Sequence, residues 1–149
     1  MLTPESELDW TKPVPQVEVD LEELEDDHYG FVQNGEPFSG IAVSRYPNGE
    51  MESRRPCLNG MPHGLCRWWH ENGQLSAEWT AFLGMGHGWA TEWHENGQVA
   101  NRTYAEFGRP LEWKKFDLQG HETEQGSNRE DKNTLLWIER YRKRFPDAP

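Results

Sequence analysis

With 149 residues the chain has the size of one domain and is too short for two ordinary domains with separate cores. Only 34% of it is hydrophobic, yet it carries eight Trp, so burial has to come from aromatic side chains, which favours a sheet. The net charge of −11 repels phosphate backbones, which argues against general nucleic-acid binding and makes a basic protein surface the natural partner.

In chain order, residues 1–27 form an acidic leader with ten carboxylates against Lys12 alone, giving −9, whereas residues 28–149 sum to −2. Pro4, Pro13 and Pro15 predict an extended, partly mobile segment, and Val17, Val19 and Leu21 suit either an edge strand or the start of a short helix. Met1 to Trp10 lacks the basic-then-apolar pattern of an export signal, and the chain has no apolar run of about 18 residues, so the expectation is a cytoplasmic protein with no membrane span.

Residues 28–124 carry an internal repeat. Gly40, Gly64 and Gly88 are 24 apart, as are Gly49, Gly73 and Gly97. Between these marks Tyr46-Pro47-Asn48-Gly49-Glu50 recurs as His70-Glu71-Asn72-Gly73-Gln74 and as His94-Glu95-Asn96-Gly97-Gln98. A second mark, Gly60-Met-Pro-His-Gly64, recurs at Gly84–Gly88 and decays at Gly108-Arg109-Pro110, and the fourth unit, ending at Gln119-Gly120, is degenerate. Asn-Gly flanked by alternating residues predicts a two-residue hairpin with both turn positions at positive φ. That reading sets Arg67 opposite Glu78, Trp69 opposite Ser76, Trp93 opposite Ala100 and Trp89 opposite Tyr104. The fold class that follows is all-β: an antiparallel meander of 24-residue hairpins in a single twisted sheet of about eight strands. One column, Ile41, Leu65, Trp89 and Trp113, reads as core, together with Trp69, Trp93 and Phe116 on the same face. The opposite face, with Met51, Leu75, Val99, His70, His94, Glu92 and Asn101, reads as mixed and open to water or a partner. Cys57 and Cys66 read as reduced, half-buried thiols, with a conditional disulfide as the minor alternative.

Residues 125–149 read as a linker and a helix over Arg129–Phe145 that caps the sheet, with Ser127 and Glu130 as a capping box and Leu135, Trp137, Ile138, Tyr141 and Phe145 as its apolar contacts. Arg140, Arg142, Lys143 and Arg144 suit the negative end of the helix dipole, with a nucleic-acid or lipid contact through this short patch as the sharper alternative.

No constellation for catalysis stands out. His70 and His94 are equivalent residues two strands apart, about 9.5 Å, so they cannot share one metal ion, and His63 and His87 are separated in the same way. There is no phosphate loop opening a helix and no nucleophile beside a spaced base. The reading is a protein without enzymatic activity, metal or cofactor.

The recurring aromatic, Asn-Gly-Gln and Gly-x-Pro-His-Gly marks over residues 29–124 resemble the MORN-repeat variant family, which includes YwqK-type antitoxins. His70 and His94 stand where members often carry Tyr, and the leader and helix lie outside the repeat. The resemblance implies a β-hairpin array and, for some members, a role as antitoxin or immunity partner of a toxic protein. On that reading the partner is a cognate toxin or effector with a basic surface. The contacts expected to hold it are Glu22, Glu23, Glu25, Asp26 and Asp27 of the leader with Trp68, His70, Trp79, Glu92 and His94 of the repeats. A structural or scaffolding role, lipid-associated as for some MORN proteins, is the alternative, although the charge argues against anionic bilayers. Exposed sheet edges leave a homodimer open.

Overall fold

Alternating side chains make each half-repeat a strand, and a turn every ten to fourteen residues sends the chain back beside itself, so the sheet grows by neighbour-to-neighbour pairing. The computed structural model describes residues 9–149; Met1 and Pro4, named above, fall outside them. The strands are β1 (Glu18–Asp20), β2 (Glu25–Asp27), β3 (Gly30–Gln33), β4 (Glu36–Pro37), β5 (Gly40–Arg45), β6 (Met51–Leu58) and β7 (Met61–Pro62). They continue as β8 (Gly64–Trp69), β9 (Leu75–Phe82), β10 (Met85–Trp93), β11 (Val99–Glu106), β12 (Arg109–Phe116) and β13 (Glu122–Ser127), followed by helix α1 (Lys132–Arg144).

The antiparallel hairpin meander with its C-terminal helix is present, and two additions correct the single sheet of eight strands. The main sheet has ten strands in the order β1-β5-β6-β8-β9-β10-β11-β12-β13, with β7 paired to β6, while β2-β3-β4 form a separate three-stranded sheet. Strand β1 joins the edge parallel to β5, so part of the leader belongs to the fold. Both readings of the Val19–Leu21 stretch hold in succession: Val19 lies in β1, and Leu21–Glu23 make one 3-10 turn.

Two kinds of turn alternate, and the sequence reading exchanged them. At the Asn-Gly marks only the glycine has positive φ (Gly49, Gly73, Gly97). The Gly73 N–H donates to the His70 carbonyl (2.9 Å) and the His70 N–H to the Gln74 carbonyl (2.8 Å), so His70–Gly73 is a four-residue turn closed by a glycine bulge. The bulge shifts the register there: Trp69 pairs with Leu75 and Trp93 with Val99, instead of Ser76 and Ala100, whereas Arg67↔Glu78 and Trp89↔Tyr104 pair as expected. The two-residue turns with both positions at positive φ are Asn34-Gly35, Asn59-Gly60, Leu83-Gly84 and Phe107-Gly108.

The 24-residue period is also a period of hydrogen bonds between units. At one end of the strands, Gly60, Gly84 and Gly108 N–H groups donate to the carbonyls of Phe38 (2.6 Å), Pro62 (2.7 Å) and Gly86 (2.8 Å). At the other end, Tyr46 Oη donates to the Trp69 carbonyl (2.8 Å), His70 Nε2 to Trp93 (2.9 Å) and His94 Nε2 to Phe116 (3.0 Å). The Asn72 and Asn96 amides add bonds to the Glu95 (3.3 Å) and Leu118 (2.8 Å) carbonyls. Each unit is thus pinned to the next at both ends.

Two cores flank the sheet. Phe82, Leu83, Phe107 and Leu111 pack with Ile138 and Phe145 of α1, joined by Trp10. Phe38, Ala42 and Cys57 pack with Val19, Leu21, Leu24 and Phe31, which the small sheet and the leader contribute. The expected core column therefore fails beyond Ile41, which is buried: Leu65 is 38% and Trp89 44% exposed, and Trp113 is half-buried. Cys57 and Cys66 are free thiols, fully rather than half buried. Helix α1 caps the sheet but starts later than predicted, with Asp131 as N-cap accepting from the Thr134 N–H (2.7 Å). Ser127 instead ends β13 and donates its hydroxyl to the Leu111 carbonyl (3.2 Å), and Leu135 points outward. Among the described residues no helix is long and apolar enough to cross a membrane.

Candidate interaction surface

The two faces of the main sheet follow from the register, since directly paired residues share a face. One face carries the row Ser53, Trp68, Ala77, Glu92, Asn101, Lys115 and Glu124, and beside it Cys66, Trp79, Ala90, Thr103, Trp113 and Gly126. On it the Trp68 and Trp79 rings lie nearly parallel, 6.2 Å apart with a 12° interplanar angle, and both remain half-exposed. Arg55 reaches in from β6, its guanidinium 5.9 Å from the Trp68 ring and 5.4 Å from that of Phe31 on β3. Its Nε is buried without a hydrogen-bond partner, so aromatic faces are its main company. On β10 and β11 the residues directly between are small, Ala90 and Thr103, with Glu92 and Asn101 beside them, until Trp113 rises over Gly126, where a Cβ would overlap the indole. The outcome is two aromatic walls with a floor of small side chains between them, about three strand spacings or 14 Å apart.

The ten residues singled out in the sequence fall in four places. Trp68, Trp79 and Glu92 share the face just described. Glu22 and Glu23 sit on the 3-10 turn and, with Asp20, Glu52 and Arg45, line an open depression of about 620 Å³ at the β1 edge. Glu25, Asp26 and Asp27 are exposed along β2 in the small sheet. His70 and His94 lie at the strand ends, where their Nε2 atoms are held by backbone carbonyls of the next unit. Arg55 was not singled out, because nothing in the sequence says that β3 folds over β6 to meet it.

Both cysteines are buried and the four repeat histidines are engaged in hydrogen bonds to the backbone. Burial pushes the Cys57 thiol up to about 11 and Cys66 to about 12, so both stay protonated and poorly nucleophilic. His63 and His87 are equivalent in successive units, and each Nδ1 accepts a turn N–H, from Leu83 (3.3 Å) and Phe107 (3.1 Å) respectively. Among the described residues no group of three His, Cys, Asp or Glu side chains is placed to hold a metal ion.

Comparison with known proteins adds a local match. No curated protein matches the chain. Among solved structures it is similar to a TarM mutant from S. aureus in complex with Fondaparinux, alpha-GlcNAc-glycerol and UDP, at 8% identity and a TM-score of 0.38, covering 59% of this chain and 18% of that one. It is similar also to TarM itself (8%, TM-score 0.39, 72% and 20% covered) and to a GtfA/B complex bound to UDP and GlcNAc (16%, TM-score 0.32, 70% and 25% covered). The chain thus spans a quarter or less of those proteins, and at such scores the likeness carries no argument about function. Residues 62–80, the stretch from the end of β7 through β8 and most of β9, match the MORN repeat variant.

Proposed function

We propose that this chain is a non-catalytic binding module that neutralises a toxic or effector protein by direct contact. The observation that carries the reading is the Trp68–Trp79 pair, held parallel and half-exposed beside the small side chains Ala77 and Ala90, with Arg55 next to it and Glu92 at its rim. Clustered Trp and Arg side chains of fixed geometry are what protein interfaces concentrate their binding energy in. Such a pair loses little conformational entropy on binding. The exposed carboxylates of residues 20–27 lie toward the β1 edge and steer a basic partner, raising its rate of encounter more than its final affinity. Residues 62–80, which match the repeat variant, build the strands that present both Trp side chains.

The test is capture of the tagged protein from its native cells at moderate salt, followed by expression of any stoichiometric partner alone. A partner that is toxic by itself and harmless with this chain supports the proposal, and Trp68→Ala with Trp79→Ala then weakens the complex by about 100-fold or more. Recovery of the protein alone, or with lipid vesicles in a salt-sensitive way, would sink it in favour of a scaffold.

A further inference from the structure

The other face of the main sheet carries an unbroken row of paired residues: Asp20, Val43, Arg54, Arg67, Glu78, Thr91, Arg102, Lys114 and Gln125. Two like-charged pairs stand directly opposite each other in it, Arg54↔Arg67 and Arg102↔Lys114, an arrangement that is unfavourable in an isolated sheet. Arg54, Arg67 and Lys114 each lean on a carboxylate of the same chain: Glu18 at 3.7 Å, Glu78 at 3.2 Å and Glu122 at 2.8 Å. Arg102 has no such carboxylate among the described residues and lies flat on the Trp89 ring at 4.4 Å, with Tyr104 at 5.2 Å on the same indole. The row therefore runs from an acidic end, where Asp20 joins Glu22, Glu23 and Glu52 around an edge depression that also holds Arg45, to a more basic end at Arg102 and Lys114, where Glu112 is paired with Arg129. Seven strand spacings, about 34 Å, separate Asp20 from Lys114.

The order of charges is complementary to its own reversal. Read against itself about a point between Arg67 and Glu78, Asp20 meets Lys114, Val43 with the neighbouring Glu52 meets Arg102, Arg54 meets Thr91, and Arg67 meets Glu78. Two apolar side chains on this same face, Leu65 and Trp89, are 38% and 44% exposed and lie beside the row near its middle. A two-fold axis is the operation that reverses such a row, because in an isologous contact residue i meets j and j meets i.

We propose that this face is the interface between two copies of the chain, docked face to face about a two-fold axis that sets the acidic end of each on the basic end of the other. A partner of different sequence needs no self-reversing pattern, whereas a second copy requires it. The net charge of −11 does not forbid the contact, since this docking sets Asp20, Glu22 and Glu23 against the partner copy's cations. The opposite face, with Trp68 and Trp79, stays outward on both copies and open to the proposed partner, while Asp20, Glu22 and Glu23 are shared between that partner's steering and the dimer contact.

The experiment is light scattering and sedimentation equilibrium of the full chain at about 0.15 M salt, where distant charges are screened and contacting ones are not. Wild type is compared with Asp20→Lys plus Glu23→Lys, which makes both ends basic, and with Arg102→Glu plus Lys114→Glu, which makes both acidic. The expected result is a wild-type dimer, a dissociation constant raised about 100-fold in each variant alone, and a one-to-one heterodimer when the two are mixed. The heterodimer also shows that both variants are folded. A monomeric wild type overturns the proposal, and so does a dimer indifferent to both variants, or a mixture of folded variants that stays monomeric.

Discussion

Leu83 and Phe107 hold φ of +47°, a conformation that costs a bulky L-residue about 1–2 kcal/mol, while the equivalent positions in earlier units are Asn34 and Asn59. The change of residue type follows what lies above the turn. Under α1 the two side chains are buried with Phe82, Ile138 and Phe145, and that burial exceeds the backbone strain. Leu83→Asn relieves the strain but removes the buried side chain. Denaturant unfolding is expected to show a net loss of about 2 kcal/mol, and a gain in stability would mean that strain, not packing, dominates at the turn. His63 belongs to the same turn: its Nδ1 must be unprotonated to accept the Leu83 N–H, and burial lowers its pKa against a smaller opposing effect of the Trp10 backbone. With the folded pKa below the unfolded value of about 6.5, the contribution is complete above that pH and is lost as pH falls through the folded pKa. Melting temperatures of wild type and His63→Asn should therefore differ most at neutral pH and above and converge as pH falls through the folded-state pKa. Parallel curves would show that the imidazole does not titrate in this role.

At the level of elements, the hairpin array was legible because its signals are local: the paired glycine marks, the alternation, and the pairs Arg67↔Glu78 and Trp89↔Tyr104. The turn type was misread because Asn-Gly serves both a two-residue turn and a four-residue turn with a glycine bulge. Pro47 held the deciding signal, since its fixed φ suits the second position of a four-residue turn begun at Tyr46. What covers each face is not local. Leu65 and Trp89 resemble core residues in the sequence, yet the leader, the small sheet and α1 cover other parts of the sheet, and this placement left Trp68, Trp79 and Arg55 as the candidate site. The β12–β13 pairing shows how one residue settles such a question: Trp113 lies over Gly126 and donates its indole N–H to Glu124 (3.2 Å). Gly126→Ala displaces the indole and should destabilise this edge by about 1–3 kcal/mol, with the Trp113 indole proton shifting in the NMR spectrum. An unchanged Trp113 resonance would show that the ring does not rest on that glycine.

Across the whole molecule, two cores sit toward opposite ends of one strand order, and everything between is held by neighbour-to-neighbour ladders and end staples. In such an array stability is close to a sum over adjacent units, so damage at one end need not reach the other. Phe145 belongs to the α1 core, stacking near Phe107 and meeting Phe82 edge-on at 5.3 Å, while nothing in the Phe38–Ala42–Cys57 core touches α1. Phe145→Ala should remove about 3 kcal/mol from the first core alone. Amide exchange is then expected to quicken in the β9–β10 and β11–β12 turns, at Leu83 and Phe107, and along α1, while the β5–β6 ladder keeps its protection until global unfolding. The parallel strand β1 gives the sharpest control, since it is held by β5, by the second core and by the Arg54–Glu18 pair to β6, all at the end of the strand order away from α1. If its exchange rises together with that of α1, the two cores form a single cooperative unit and the additive picture of the repeats fails. If it does not, each end of the sheet can open separately, and the Trp68–Trp79 face between them would keep its geometry when either end loosens.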